Sequence, residues 1–131
     1  MKFLLDTCIL LWSVSGDLGK IKSFLPILEN KKNFVGVSII SYWEIIIKKK
    51  LGKLVVPDNF IELVEETGFT WVKLELRHLQ FLEKLPMIHS DPFDRLLIAQ
   101  ACSEKFQLLT TDAQILQYEP KTPLIFDNKF L

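Results

Sequence analysis

Four carboxylates occupy positions where apolar segments of this 131-residue sequence end or turn amphipathic. Asp6 directly follows Phe3-Leu4-Leu5. Glu44 interrupts an apolar stripe, since Ile40, Glu44, Ile47 and Leu51 follow i, i+4, i+7 and i+11 on one helix face. Asp94 shares a helix face with Leu97, Ile98 and Ala101. Asp112 comes just after Leu108-Leu109-Thr110. Each has an ordinary structural use. Asp6 and Asp112 suit helix N-caps, and Ser41-Tyr42-Trp43-Glu44 fits a capping box if its helix starts late. Asp91, Pro92 and Asp94 make an acidic helix start, with Asp91 as the cap. Their convergence would be a different matter, because carboxylates in proximity repel and raise one another's pKa. An inward carboxylate also needs a partner to offset its burial. A divalent cation meets both needs. An all-oxygen set without clustered His or Cys favours Mg²⁺ or Mn²⁺ over zinc. At such clusters these ions serve phosphoryl chemistry, by activating water and neutralising phosphate oxygens.

The elements that must position these residues alternate along the chain. Strands are expected at 3–5, 34–37, 71–74, 107–110 and 123–126. Helices are expected at 7–14, 20–30, 58–67, 75–84, 92–105 and 112–118, and another is capped by Ser38, runs to about 50 and stops at Gly52. Strands alternating with helices predict an α/β fold, a three-layer α/β/α sandwich with a central parallel sheet joined by right-handed crossovers. Ligands of such sheets bind beyond the carboxyl ends of the strands. All four carboxylates fall on that edge, and Asp112 lies beside the first strand if the sheet is doubly wound. The length suits a single domain spanning 1–131 with one substantial core.

Composition narrows the function classes. Sixteen basic residues balance sixteen acidic ones, so a strongly basic nucleic-acid scaffold is not expected. Affinity for a polyanion must come from metal ions or a local patch. Lys48, Lys49, Lys50 and Lys53 offer such a patch, although a solvated face is the simpler reading of them. No apolar run approaches the ~20 residues of a membrane span, and Asp6 interrupts the apolar start before any cleavage site. Cys8 and Cys102 are far apart, form no C-x-x-C and read as two buried thiols of a cytoplasmic protein. His78 is expected at the surface and His89 in a loop, and no Ser-His-Asp arrangement is apparent. A receiver-like phosphoacceptor module also places acids on a sheet edge, but it wants an adjacent acidic pair after the first strand, where this chain has Asp6-Thr7. A haloacid-dehalogenase-like phosphatase wants D-x-D, where position 8 is Cys8.

Several motifs together resemble the PIN-domain family, and within it the VapC-like toxins of bacterial type II toxin–antitoxin systems. They are Leu4-Leu5-Asp6-Thr7, Ser41-Tyr42-Trp43-Glu44-Ile45, Gly52-Lys53-Leu54, Asp91-Pro92-Phe93-Asp94-Arg95-Leu96-Leu97-Ile98-Ala99-Gln100-Ala101 and Leu109-Thr110-Thr111-Asp112. The resemblance implies a metal-dependent ribonuclease in which Asp6, Glu44, Asp94 and Asp112 are the acidic quartet around Mg²⁺ or Mn²⁺. It implies that the Thr110 hydroxyl helps hold the metal's water or an acidic neighbour, and that RNA is hydrolysed to 5′-phosphate and 3′-hydroxyl ends. Asp91 and Arg95 belong to the shared motif. Relatives often carry His where this chain has Cys8. The implied partners are an RNA substrate, a second copy in a homodimer and a cognate antitoxin. The antitoxin is expected as a helical segment in a groove between Trp43 and Phe60, placing a basic side chain among the carboxylates. Trp12, Tyr42, Trp43, Phe60 and Phe81 are the aromatic residues available for such interfaces. A PIN-fold RNA-binding or RNA-processing protein without a toxin role is the alternative.

Overall fold

Strand β1 (Lys2–Leu5) is apolar on both faces, as a strand inside a covered parallel sheet must be. In the computed structural model, which describes residues 1–87, 91–112 and 115 and the backbone of 125–126, it is the middle strand. Helix α1 (Thr7–Ser15) follows it. Next come a 3₁₀ turn (Lys22–Phe24) running into α2 (Leu25–Leu28), strand β2 (Phe34–Ser38), α3 (Ile39–Lys50) and α4 (Phe60–Glu66). Strand β3 (Thr70–Val72), α5 (Leu76–Leu82), α6 (Pro92–Glu104), β4 (Gln107–Leu109) and β5 (Ile125–Phe126) complete the described elements.

The strands lie in the order β3-β2-β1-β4-β5 and every pairing is parallel, with Leu4 opposite Gly36 on one side and Leu108 on the other. This is the doubly wound order. It excludes the receiver-like reading, whose sheet runs 2-1-3-4-5. The chain reverses its direction of winding between β1 and β4, and the crevice at their carboxyl ends is the natural ligand site of such a sheet.

Strand period two splits the core into two layers. Leu4 and Leu108 pack with Leu97, Ile98 and Ala101 of α6 on one face. Phe3, Leu5 and Leu109 pack with Ile9 and Leu10 of α1 and Phe60 and Val64 of α4 on the other. Helix α3 straddles the sheet edge, with Ile40 in the first layer and Ile45 in the second. Glycine at position 36 lets neighbouring side chains close over β2, since an added Cβ would lie 2.7 Å from Val72 Cγ2 and force it to shift.

Several expectations shift. The single helix expected over 20–30 is a 3₁₀ turn and one short helix, because Pro26 lacks an N–H and fits only a first turn. The third strand ends at Val72 and α5 at Leu82, both earlier than expected. Ser38 caps α3, its hydroxyl accepting from Ile40 N at 3.0 Å. The late capping box at Ser41 and Glu44 is therefore absent, and both side chains are buried in the helix's first turns. The helix expected over 112–118 and the loop at His89 lie outside the described residues, apart from Asp112 and a helical Ile115 in the core.

His78 is wholly buried, not exposed as expected. Helix α5 packs on α6, and His78 Nδ1 accepts the Glu75 N–H at 3.0 Å while Nε2 meets Glu104 Oε1 at 2.8 Å. Both ring nitrogens are satisfied, which makes the burial tolerable. Cys8 is exposed and Cys102 half-buried, so the two thiols are not both in the core. In α1, Cys8 falls between the buried Thr7 and Ile9 and turns away from the sheet.

Candidate active site

Asp6 ends β1 and caps α1 at once. Its Oδ1 accepts the Ile9 N–H at 2.8 Å, and its Oδ2 accepts the hydroxyl of Thr110, which follows β4. The Asp6 N–H reaches Leu109 O at 3.1 Å, closing the seam between the two strands. Thr110 is fully buried and Asp6 nearly so. Burial pushes the Asp6 carboxyl up to about 7. The hydrogen bonds from Thr110 and Ile9 favour the anion and limit the rise, while the negative charges of Asp94 and Asp112 add to it.

Glu44 reaches the same place from the second turn of α3 and is 5% exposed. The Thr7 hydroxyl donates to its Oε1 at 2.7 Å, and Lys48 Nζ lies 2.7 Å from its Oε2. Thr7 Oγ1 also lies 3.1 Å from the buried Ser41 Oγ. A buried carboxylate is thus held by a hydroxyl on one oxygen and an ammonium on the other. The Lys48 pKa is raised, first by this hydrogen bond.

Asp91 caps α6, accepting from Phe93 N at 2.8 Å and Asp94 N at 3.2 Å, as its place before Pro92 requires. Asp94, one turn on and half-buried, faces the crevice. Asp112 is exposed at its rim, with its N–H donating to Thr110 Oγ1 at 3.0 Å. The structure therefore brings all four expected carboxylates around one cavity of about 330 Å³ at the carboxyl ends of β1 and β4. Asp91 and Cys8 share its lining, and Lys48 and Lys53 stand on its α3 side. Desolvation, then Asp6 and Glu44, push the Cys8 thiol up to about 11, so it is protonated at neutral pH. Arg95, in the same turn as Asp94, points away to Leu85 O at 3.4 Å.

The donor set suits a hard cation. Five carboxylates among the described residues line the cavity against two lysines. Among the described residues, the one group of three ligand side chains whose atoms all approach within 4.8 Å is Glu75, His78 and Glu104, so the quartet surrounds a wider space. That spacing leaves room for the waters that a magnesium ion retains. The tighter group lies by Phe34 and Phe106 at the amino ends of β2 and β4. There Arg77 already supplies the cation, pairing with Glu75 and, through Nε at 2.8 Å, with Glu104.

Sequence reasoning does not single out Thr7, Ser41 or the Glu44–Lys48 pair as site groups. The i, i+4 spacing of Glu44 and Lys48 is a legible signal. Nothing local marks Thr7, whose partners lie 34 and 37 residues away.

A second cavity runs between α3 and α4, walled by Tyr42, Ile46, Lys49, Val56, Phe60 and Ile61. Tyr42 stacks on Phe60 at 6.1 Å between centroids. Trp43 does not line it, contrary to expectation. It turns the other way, its ring edge-on to Phe93 at 5.0 Å, and stays 55% exposed. Phe60 is buried as the floor of the groove.

The PIN domain family model matches residues 3–119. Among solved structures, the fold is similar to a chain of VapBC2 from Rickettsia felis bound to a DNA fragment from their promoter, with a TM-score of 0.69, 14% identity and 97% of each chain covered. It is also similar to a chain of DNA-bound VapBC from Salmonella typhimurium, with a TM-score of 0.67, 18% identity and 98% of each chain covered. Among curated proteins none matches significantly.

Proposed function

This chain belongs to the PIN domain family, and we propose on that premise that it is a Mg²⁺- or Mn²⁺-dependent endoribonuclease, the toxin of a toxin–antitoxin pair. The observation that carries the reading is the cavity at the β1–β4 switch point, where Asp6, Glu44, Asp94 and Asp112 arrive from four separate segments. Asp6, Asp94 and Asp112 would hold the ion. Glu44 would act through water, since the Lys48 ammonium already holds its Oε2 and the Thr7 hydroxyl its Oε1, whereas Asp6 is held by uncharged donors only. When bound, the ion supplies Lewis-acid charge and lowers the pKa of water.

The protein's own residues do the positioning. The Thr110 hydroxyl fixes the Asp6 carboxylate and favours its ionised form. Thr7 fixes Glu44, so the two deepest carboxylates cannot rotate freely. Such preorganisation is worth much in a site that is partly withdrawn from solvent. A phosphodiester seated over the cavity would lie between Asp94 and Asp112 on the α6 side and Lys48 on the α3 side.

The apolar groove floored by Phe60 suits a helical antitoxin segment that folds on binding. Ile46 and Ile61, at its walls and 39% and 37% exposed, are apolar surface that such a segment would cover. The likeness to chains of two solved VapBC assemblies supports this reading, which also includes a homodimer and a cytoplasmic location. No helix among the described residues is long and apolar enough to cross a membrane.

Purified protein incubated with RNA and Mg²⁺ or Mn²⁺ should cleave it, and EDTA should stop the cleavage. Full cleavage in chelator, or none with either ion, overturns the enzymatic reading. Co-expression with a candidate antitoxin should relieve growth inhibition and yield a complex. A strict monomer that captures no such protein overturns the toxin reading.

A further inference from the structure

The acidic cavity has one cationic side. Among the described residues, Lys48 and Lys53 are the only cations lining it, Lys48 in the last turn of α3 and Lys53 just beyond its end. Their placement is built into the backbone. Gly52 adopts φ +70°, its N–H reaching Lys49 O at 3.1 Å, while the Lys53 N–H reaches Lys48 O at 2.9 Å. These two bonds form a Schellman motif, which needs a left-handed residue and folds Lys53 back beside Lys48. Glycine takes that conformation without a Cβ penalty.

Lys48 is more than a counter-ion. Glu44 Oε2 takes one of its three donors at 2.7 Å. The lysine side chain remains 48% exposed, whereas that of Glu44 is only 6% exposed. The pair tethers a long, otherwise mobile side chain with its ammonium at the cavity. The other charged residues lining it, among the described ones, are five carboxylates, which do not themselves attract a polyanion. An RNA strand can therefore approach favourably along the α3 side.

We propose that Lys48 and Lys53 form the phosphate-receiving edge of this site, with Lys48 on the scissile phosphate of RNA and Lys53 on a neighbouring one. The proposal rests on the ribonuclease reading above and adds to it how the substrate is gripped. Glu44 gains a second role as the positioning residue of Lys48.

The test is the salt dependence of kcat/KM for a short single-stranded RNA with Mn²⁺. Lys48→Met should lower kcat/KM roughly tenfold or more, the scale of one missing hydrogen bond to a charged group. The plot of log kcat/KM against log salt should flatten by about 0.7, and by about 1.4 when Lys53→Met is added, the increment for each single-strand phosphate that is no longer neutralised. Lys48→Arg should restore most of the slope. Mn²⁺ affinity without RNA, measured by calorimetry, should hold or rise in Lys48→Met, because a cation has been removed from the cavity. Lys32→Met, in the turn before β2 at the amino edge of the sheet, serves as the control. An unchanged slope overturns the proposal. So does loss of Mn²⁺ binding in Lys48→Met without rescue by arginine, which would mark Lys48 as a prop for Glu44. Wild-type protein that binds Mn²⁺ but leaves RNA intact removes the ribonuclease reading and the lysine edge with it. A wild type that cleaves while Lys48→Met cleaves equally well removes the edge alone.

Discussion

Thr110 lies 104 residues from Asp6 in the chain and donates its hydroxyl to the Asp6 carboxylate. One side-chain bond thus joins the ends of the two strands between which the fold reverses. The same threonine accepts the Asp112 N–H at 3.0 Å, so one hydroxyl ties two of the four carboxylate residues together.

Thr110→Val keeps the shape and removes both interactions. Leaving the Asp6 oxygen buried without its donor should cost about 1–3 kcal/mol of stability, measured by urea unfolding. The alkaline shift of the activity profile should be the more specific sign, because the missing bond favoured the ionised carboxyl. A variant with unaltered stability and pH profile would show that the hydroxyl does little.

The Asp6 carboxyl, raised from 3.8 to about 7, contributes its own pH dependence to the stability of the metal-free protein. Between those values the folded state holds a proton that the unfolded state has released. Its contribution to stability is therefore full below about 4 and lost as pH rises through about 7. Denaturation in EDTA at pH 5 and pH 8, with Asp6→Asn subtracted to remove other groups, should show this fall. Saturating Mn²⁺ should reverse it by favouring the ionised form. An equal pH response in wild type and Asp6→Asn would refute the assignment.

Asp91 and Asp94 are neighbours on one helix start with separable roles. Asp94→Asn should abolish cleavage, a larger loss than the ~10–100-fold typical of outer-shell partners, while the fold survives. Asp91→Asn should retain most activity, since asparagine caps a helix about as well. Asp91→Ala should cost about 1 kcal/mol of stability. Equal activity of Asp94→Asn and wild type would reduce Asp94 to a helix-start residue.

His78 belongs to stability. His78→Leu leaves the Glu75 N–H and a Glu104 oxygen without a ring partner, at a cost of about 1–3 kcal/mol. Thermal unfolding should show the loss, and RNA cleavage per folded molecule should be unaltered. A large change in cleavage with intact stability would tie this end of the sheet to the active edge.

The groove makes its own prediction. Ile46→Glu places a charge on its wall, where Ile46 is 39% exposed. The variant should fold, as judged by circular dichroism, and fail to co-purify with an antitoxin that wild type retains. Undiminished capture would move the partner to another face.

Residue order alone made much of this protein legible. The alternation of apolar strands with amphipathic helices required a parallel three-layer fold. Period two sent Leu4 and Leu5 to opposite layers, and the 3.6-residue period turned Glu44 and Asp94 inward with their apolar neighbours. Asp6, Glu44, Asp94 and Asp112 could be assigned to one edge because, in such a sheet, strand ends and helix starts share it. Local pattern does not say which distant group a polar side chain meets. His78 looked like a surface residue until α5 packed on α6 and supplied Glu104. Thr7 became a site residue only when α3 brought Glu44 to within 2.7 Å of its hydroxyl. Cys8 and Trp43 followed their helices' rotation, outward in one case and toward Phe93 in the other. The spacing of residues along one element is covalent and can be read directly, whereas burial and hydrogen-bond partners between elements exist only once the layers have packed.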